Sequence, residues 1–250
     1  MLADERYNLI VKRIQENGAA YTDELVNMLG VSGETVRRDL IKIEKAGLCT
    51  RVHGGAIRNN EFVQPSMIFN RIVKSGNLKI ELAKKAIKFV NENDIIGIDC
   101  GSTTVAFAET LKENFEHLTI ITYSLSVFEI LKDKFKVVLC GGLFDEGENA
   151  FYGNVAVSQM SELYTQKVFL TPSAISVKSG IRDYNEDLIL VQKAMYNNSD
   201  KVFILADSTK FEKSALYKID DISSKVTIIT DNKLSVDIRG IYSDNNIVVN

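Results

Sequence analysis

Apolar residues recur at helical spacing three times in the first 47 positions. Leu9, Ile10 and Ile14, with Val11 one face over, predict a helix over about Asp4–Asn17, ended by Gly18. Leu25, Val26, Met28 and Leu29 predict a second helix from Thr22 to Gly30, with Asp23 and Glu24 suited to its N-terminal dipole. Val36, Leu40 and Ile43 predict a third, N-capped by Ser32 and running to Gly47. Two helices joined by the tight turn Leu29-Gly30-Val31-Ser32 form a helix-turn-helix pattern. The extended run from Leu48 to Ala56, with its Gly54-Gly55 pair, predicts a β-hairpin or wing. Periodicity then fails from Ile57 to Asn70, so residues 59–74 are predicted as a linker between domains of residues 1–58 and 75–250.

Beyond residue 75 the pattern becomes strand–helix alternation. Helices are predicted over Asn77–Asn91, Thr104–Glu113, Ser124–Asp133 and Asp187–Asn198. Strands are predicted over Asp94–Asp99, Leu118–Thr122, Lys136–Cys140, Lys167–Leu170, Lys201–Ala206 and Lys225–Thr230. Short β-branched runs between amphipathic helices imply an α/β domain whose largely parallel sheet is covered on both faces.

Composition narrows the picture. The 250 residues are 45% hydrophobic and 25% charged, ordinary for a globular protein and unlike collagenous or disordered chains. No apolar run approaches the length of a membrane span, and the N-terminus lacks a secretory pattern, so a cytoplasmic protein without membrane contact is expected. Cys49, Cys100 and Cys140 have neither paired nor metal-ligand spacing, so free thiols are expected, with no metal site and no cofactor. The net charge of −3 argues weakly against nucleic-acid binding. Split at the predicted boundary, however, residues 1–58 hold 9 Lys and Arg against 8 acids, and the remainder 21 against 25. The positive charge is placed rather than abundant: Arg37, Arg38, Lys42, Lys45 and Arg51 cluster on the third helix and wing.

That third helix carries the first candidate chemistry. Ser32 and Thr35 present hydroxyls at its N-terminal end, where a helix-turn-helix meets base edges. Arg37 and Arg38 offer guanidinium groups for guanine or phosphate, and point about 100° apart, so one reads a base while the other holds backbone. With Lys42 and, on the wing, Arg51 and His53, these are the candidate DNA-binding residues. The run Glu24-Leu25, Val31-Ser32, Thr35–Leu40, Glu44, Gly47 and Arg51–Ala56 closely resembles the DeoR family of bacterial transcription regulators. The resemblance implies a winged helix-turn-helix whose Thr35–Leu40 helix enters the major groove.

The second candidate site lies at predicted strand ends. Asp99-Cys100-Gly101-Ser102-Thr103-Thr104 joins a buried strand to a helix, and such a turn offers backbone N–H groups and hydroxyls to an anion. Thr122-Tyr123-Ser124, Gly141-Gly142 and Asp207-Ser208-Thr209-Lys210 follow other strands. If those strands are neighbours, their tips form one polar pocket in which Lys210 neutralises a phosphate. Candidate effector contacts are Asp99, Gly101, Ser102, Thr103, Thr104, Thr122, Tyr123, Ser124, Gly141, Gly142 and Lys210. Lys79-Ile80, Asp99, Gly101–Thr104, Thr122, Ser124-Leu125, Gly141-Gly142, Gly153, Ala206–Ser208 and Lys210-Phe211 resemble the effector domain of the same family. That resemblance implies a Rossmann-like fold similar to ribose-5-phosphate isomerase and glucosamine-6-phosphate deaminase, and a phosphorylated sugar as effector. Tyr123 stands where the family usually carries Asn, and Thr171–Tyr184 matches only loosely, mainly at Gly180.

The expected function is a sequence-specific regulator of carbohydrate genes, a repressor acting on double-stranded operator DNA as a homodimer or homotetramer and controlled by a sugar phosphate. The alternative is a phosphosugar isomerase or deaminase carrying a helical N-terminal domain. It would draw acid–base groups from Asp99, Asp207 and Glu186, since His117, the one histidine outside the N-terminal domain, falls at the wrong end of its strand.

Overall fold

In a computed structural model, which describes residues 3–45, 49–52, 54–58, 68–73, 76–245 and 247–250, the three helical patterns become α1 (Ala3–Asn17), α2 (Thr22–Leu29) and α3 (Gly33–Lys45). They meet on Ile10, Ile14, Leu25, Leu29, Val36, Leu40 and Ile43, the periodic residues that predicted them. Gly30 takes φ 64° and returns its N–H to the Val26 carbonyl, which stops α2 as a left-handed cap. Ser32 caps α3 by accepting the Thr35 N–H at 3.2 Å. Asp39, buried on the inner side of α3, is held by the Arg6 guanidinium of α1 at 2.5 and 3.2 Å.

The wing is β2 (Cys49–Val52) paired with β3 (Gly55–Arg58), and β3 also pairs with β1 (Ala19–Tyr21). Three residues are too few to show alternation, so β1 was not legible in the pattern. Gly55 is required there: a Cβ would stand 2.3 Å from the Ala20 carbonyl oxygen. The predicted helix end at Gly47 and the wing residue His53 lie outside the described residues, as does most of the predicted linker. Within that linker Ile68–Val73 forms a helix, α4, where aperiodic coil was expected; six residues are too short for a period to register.

The chain divides into two compact units, residues 1–73 and 74–250. The second contains α5 (Gly76–Ala86, continued by a 3-10 turn at Ile87–Phe89), β4 (Ile95–Ile98), α6 (Ser102–Asn114), β5 (Thr119–Thr122), α7 (Leu125–Leu131) and β6 (Lys136–Leu139). There follow β7 (Leu143–Asp145), β8 (Ala150–Tyr152), α8 (Gly153–Glu162), β9 (Thr165–Leu170), β10 (Ala174–Ser176), β11 (Gly180–Asp183) and α9 (Glu186–Asn197). The chain closes with β12 (Ser199–Leu205), β13 (Tyr217–Asp220), β14 (Val226–Ile229), α10 (Val236–Asp244) and β15 (Val248–Val249).

The expected α/β fold is present. Seven strands form one sheet in the order β15-β14-β12-β9-β4-β5-β6, and every neighbouring pair is parallel. One face is packed by Leu82 and Ala83 of α5, Phe107 and Leu111 of α6 and Val127 of α7. The other is packed by Met160 of α8, Leu188, Val191 and Met195 of α9 and Tyr242 of α10. Two smaller pieces escaped the sequence pattern, the antiparallel sheet β10-β11-β13 and the hairpin β7-β8, all of three- or four-residue strands, and so did helices α8 and α10 and the two-residue edge strand β15.

Sheet order fixes where the winding of the chain reverses. From β4 the chain winds through β5 to β6 on one side; β9, β12, β14 and β15 lie on the other. The winding direction therefore reverses between β4 and β9, and in open α/β sheets the crevice at the carboxyl ends of such a strand pair is where ligands bind.

Candidate functional site

The exposed face of α3 follows from its core. Val36, Leu40 and Ile43 are buried, and at 100° per residue Glu34 and Arg38 fall opposite that stripe while Arg37 falls on its flank. Arg38 donates from Nε to Glu34 Oε1 at 3.2 Å, and both side chains remain well exposed, at 74% and 62%. Arg37 and Lys42 are exposed with no ion-pair partner among the described residues. Ser32 and Thr35 bond to each other through their hydroxyls at 2.9 Å, at the same end of the helix. On the wing, Arg51 is tied back to α3: its N–H donates to Glu44 Oε1 at 2.8 Å and its Nη1 lies 3.7 Å from Glu44 Oε2. Glu34 and Glu44 were not among the expected site residues, although their spacing from the arginines was visible.

At the sheet's carboxyl end, the predicted effector residues fall into separate groups. Ser102 and Thr103 occupy the first turn of α6, which starts two residues earlier than its pattern suggested. The helix is preceded by Gly101 at φ 136° and has no side-chain cap, so its first-turn N–H groups are left to other partners. By contrast, Ser124, Asn185 and Ser235 cap α7, α9 and α10 with their side chains. Lys210, half-buried, stands in a 3-10 turn after β12, one strand beyond β9.

Asp99, Thr104, Thr122, Tyr123 and Ser124 are sealed from solvent, which corrects their expected place on the pocket wall. Hairpin β7-β8 covers the β5 tip, where Leu125 N–H donates to the Asn149 carbonyl and Phe151 N–H to that of Tyr123. Thr122 donates to the Ile98 carbonyl at 2.7 Å, and Thr104 to that of Gly101 at 2.8 Å. These residues brace the loops from beneath. Gly141-Gly142 follows β6, four strand spacings or about 19 Å from β12, too far to share one sugar phosphate with Lys210. Its pair serves packing: Gly141 N–H donates to Gln159 Oε1 at 3.0 Å, and a Cβ on Gly142 would meet the Tyr152 carbonyl oxygen at 2.3 Å. A shallow concavity of ≈ 530 Å³ lined by Asp200, Lys201 and Lys225 lies at the opposite end of β12 and β14, away from all these groups.

Asp99 is the hub beneath the crevice. One oxygen accepts from Cys100 N–H at 2.9 Å and from the Tyr123 hydroxyl; the other accepts Thr171 N–H at 2.9 Å and Gln192 Nε2 at 3.3 Å. Gln192 donates also to Asp183, 3.1 Å away. Thr171, at the tip of β9, donates its hydroxyl to the Cys100 carbonyl at 2.8 Å and so closes the β4–β9 crevice floor. In sequence Thr171-Pro172-Ser173 follows a predicted strand just as the other tips do, and that placement is the signal that marks it.

Burial pushes the Asp99 carboxyl up to about 6, opposed by the bonds from Thr171 and Tyr123 and reinforced by the charge of Asp183. An acid whose pKa is higher folded than unfolded holds its proton more tightly in the folded state, so its contribution favours folding most at low pH. That contribution is expected to decline as pH rises from about 4 to about 6 and to be level above. Melting curves of wild type and Asp99→Asn across pH 4–7 check this: the wild-type slope carries a component that the variant lacks.

Comparison with known proteins agrees with both halves of this geometry. Residues 6–62 match the family model described as the DeoR-like helix-turn-helix domain, and residues 74–232 that described as the DeoR C terminal sensor domain. The chain is 31% identical over 231 residues to the L-fucose operon activator of Haemophilus influenzae, covering 92% of each. It is 32% identical over 235 residues to the lactose phosphotransferase system repressor of Lactococcus lactis, covering 92% of this chain and 91% of that one. Among solved structures, ribose 5 phosphate isomerase A from Neisseria gonorrhoeae is 21% identical with a TM-score of 0.42, over 58% of this chain and 55% of that one.

Proposed function

We propose, from the premise that this chain belongs to the DeoR family of transcriptional regulators, that it represses carbohydrate genes by binding operator DNA and is released by a phosphorylated sugar. The family is one of regulators rather than enzymes, and the isomerase or deaminase alternative is not favoured. Asp99, one of the three acids that alternative would draw on, is sealed and fully bonded, and His117 precedes β5 at the sheet's amino end. Operator half-sites would be spaced by the symmetry of a homodimer or homotetramer.

The observation that carries the effector reading is the uncapped N-terminus of α6 at the strand pair where the sheet's winding reverses. Free first-turn N–H groups, the helix dipole and the hydroxyls of Ser102 and Thr103 suit a phosphate, and Lys210 would reach it from across β9. Relatives named for a fucose operon and a lactose phosphotransferase system supply the carbohydrate context. A melting screen against phosphorylated sugars, followed by operator titration with the compound that binds, tests the reading. Thr103→Ala and Lys210→Ala are expected to bind operator as wild type does and to need ~10-fold or more additional effector for release, the order expected for loss of a charge-assisted contact. An unchanged dose response in both variants would remove the crevice from the proposal.

A further inference from the structure

Glu34 and Arg38 form an exposed i,i+4 ion pair on α3, and what sets it apart is where on the helix it stands. Both side chains stand opposite the buried stripe of α3, at the centre of the face a recognition helix turns to the major groove. The bond between them uses Arg38 Nε and Glu34 Oε1. That choice leaves the two terminal nitrogens of Arg38 as a free fork and the second oxygen of Glu34 as a free acceptor. A fork of this kind matches guanine O6 and N7.

The carboxylate has its own requirement. An acid at the centre of a face that approaches phosphates is repelled by them; its bond to Arg38 offsets part of that repulsion, and a donor on a base edge would offset more. In the major groove the donors are the amino groups of cytosine and adenine. Adenine places its N7 acceptor beside the amino group, where it repels a carboxylate, whereas cytosine does not. We infer that Glu34 is a specificity-determining residue: it holds Arg38 by Nε with the fork turned to a guanine, and its free oxygen accepts from the amino group of a cytosine in the same base-pair step. This inference rests on the operator-binding function proposed above and adds to it a base-level preference.

Selection from randomised duplexes with the full-length protein tests it, using wild type, Arg38→Ala, Glu34→Ala and Glu34→Gln. Wild type is expected to select a site in which Arg38→Ala erases one G column. Glu34→Ala flattens a C column in the same step by ~5- to 150-fold in relative affinity. Glu34→Gln moves that column toward A, because an amide pairs with adenine's amino group and N7. Thermal melts of the variants confirm that the exposed substitutions leave folding intact. If Glu34→Ala keeps every column and tightens binding to all sequences alike, Glu34 is only an acid repelled by phosphate, and the inference is overturned. A wild type that selects no sequence would instead overturn operator reading itself, a result distinct from the loss of one column.

Discussion

Arg38→Ala is expected to lower affinity for the selected operator by ~5- to 150-fold per recognition helix, the equivalent of about 1–3 kcal/mol for one bidentate base contact. The reason is its position. Val36, Leu40 and Ile43 anchor α3 to the core, and Arg38 stands on the far side of the helix with its terminal nitrogens free. Arg37 sits on the flank and is expected to behave differently. Arg37→Ala should weaken binding to all sequences nearly uniformly and reduce the slope of log affinity against log salt by about 0.9, as for one lost phosphate contact. Anisotropy titrations of both variants on operator and random duplex at several salt concentrations separate the two roles. Equal losses on both duplexes for Arg38→Ala would show it to be a backbone contact. Since residues 1–58 carry a near balance of charge, 9 cations to 8 acids, little non-specific attraction remains to mask either effect.

Gly101→Ala is the second substitution with a large expected effect, and it acts on the other unit. Gly101 has φ 136°, a region that residues with a Cβ rarely adopt, and an added Cβ would lie 2.7 Å from Thr171 Oγ1. The backbone strain alone costs about 1–3 kcal/mol. Relieving the contact means moving Thr171, whose hydroxyl holds the Cys100 carbonyl and whose N–H holds buried Asp99. A lower melting temperature and loss of the sugar-phosphate melting shift are expected together. Operator affinity without effector should stay near wild type, because no residue of α3 or the wing is altered. A variant that melts as wild type and still responds to effector would mean that the β4–β9 crevice is not the ligand site.

The split between what was legible in the sequence and what was not has physical causes. Helices α1 to α3 announced themselves because a small domain must bury one stripe per helix, and Gly18, Gly30 and Ser32 mark their ends. Six of the seven parallel strands were visible as β-branched runs, since both faces of each are covered, whereas two-residue β15 was too short to register. Strands β7, β8, β10, β11 and β13 are three or four residues long, shorter than an alternation needs to show itself. At the candidate site, residue type marked the loop after β4 but not the depth of the residues around it. Tyr123 and Ser124 look like polar pocket residues in sequence, yet hairpin β7-β8, itself unreadable, closes over them. Likewise, a one-dimensional reading could list strand tips but not their order, and order is what separates Gly141-Gly142 from Lys210.

The arrangement around Asp99 has a consequence for how this protein can change. One buried carboxylate bonds the tips of β4, β5 and β9 and reaches α9, so any exchange at Asp99, Tyr123, Thr171 or Gln192 unsettles several elements at once. The side chains above it, Ser102, Thr103 and Lys210, take no part in that knot. On the effector site proposed above, a lineage can therefore retune which compound is sensed by altering the upper layer alone, at little risk to folding. The same division tells an engineer where to place a library: randomise the rim and leave the knot as it is.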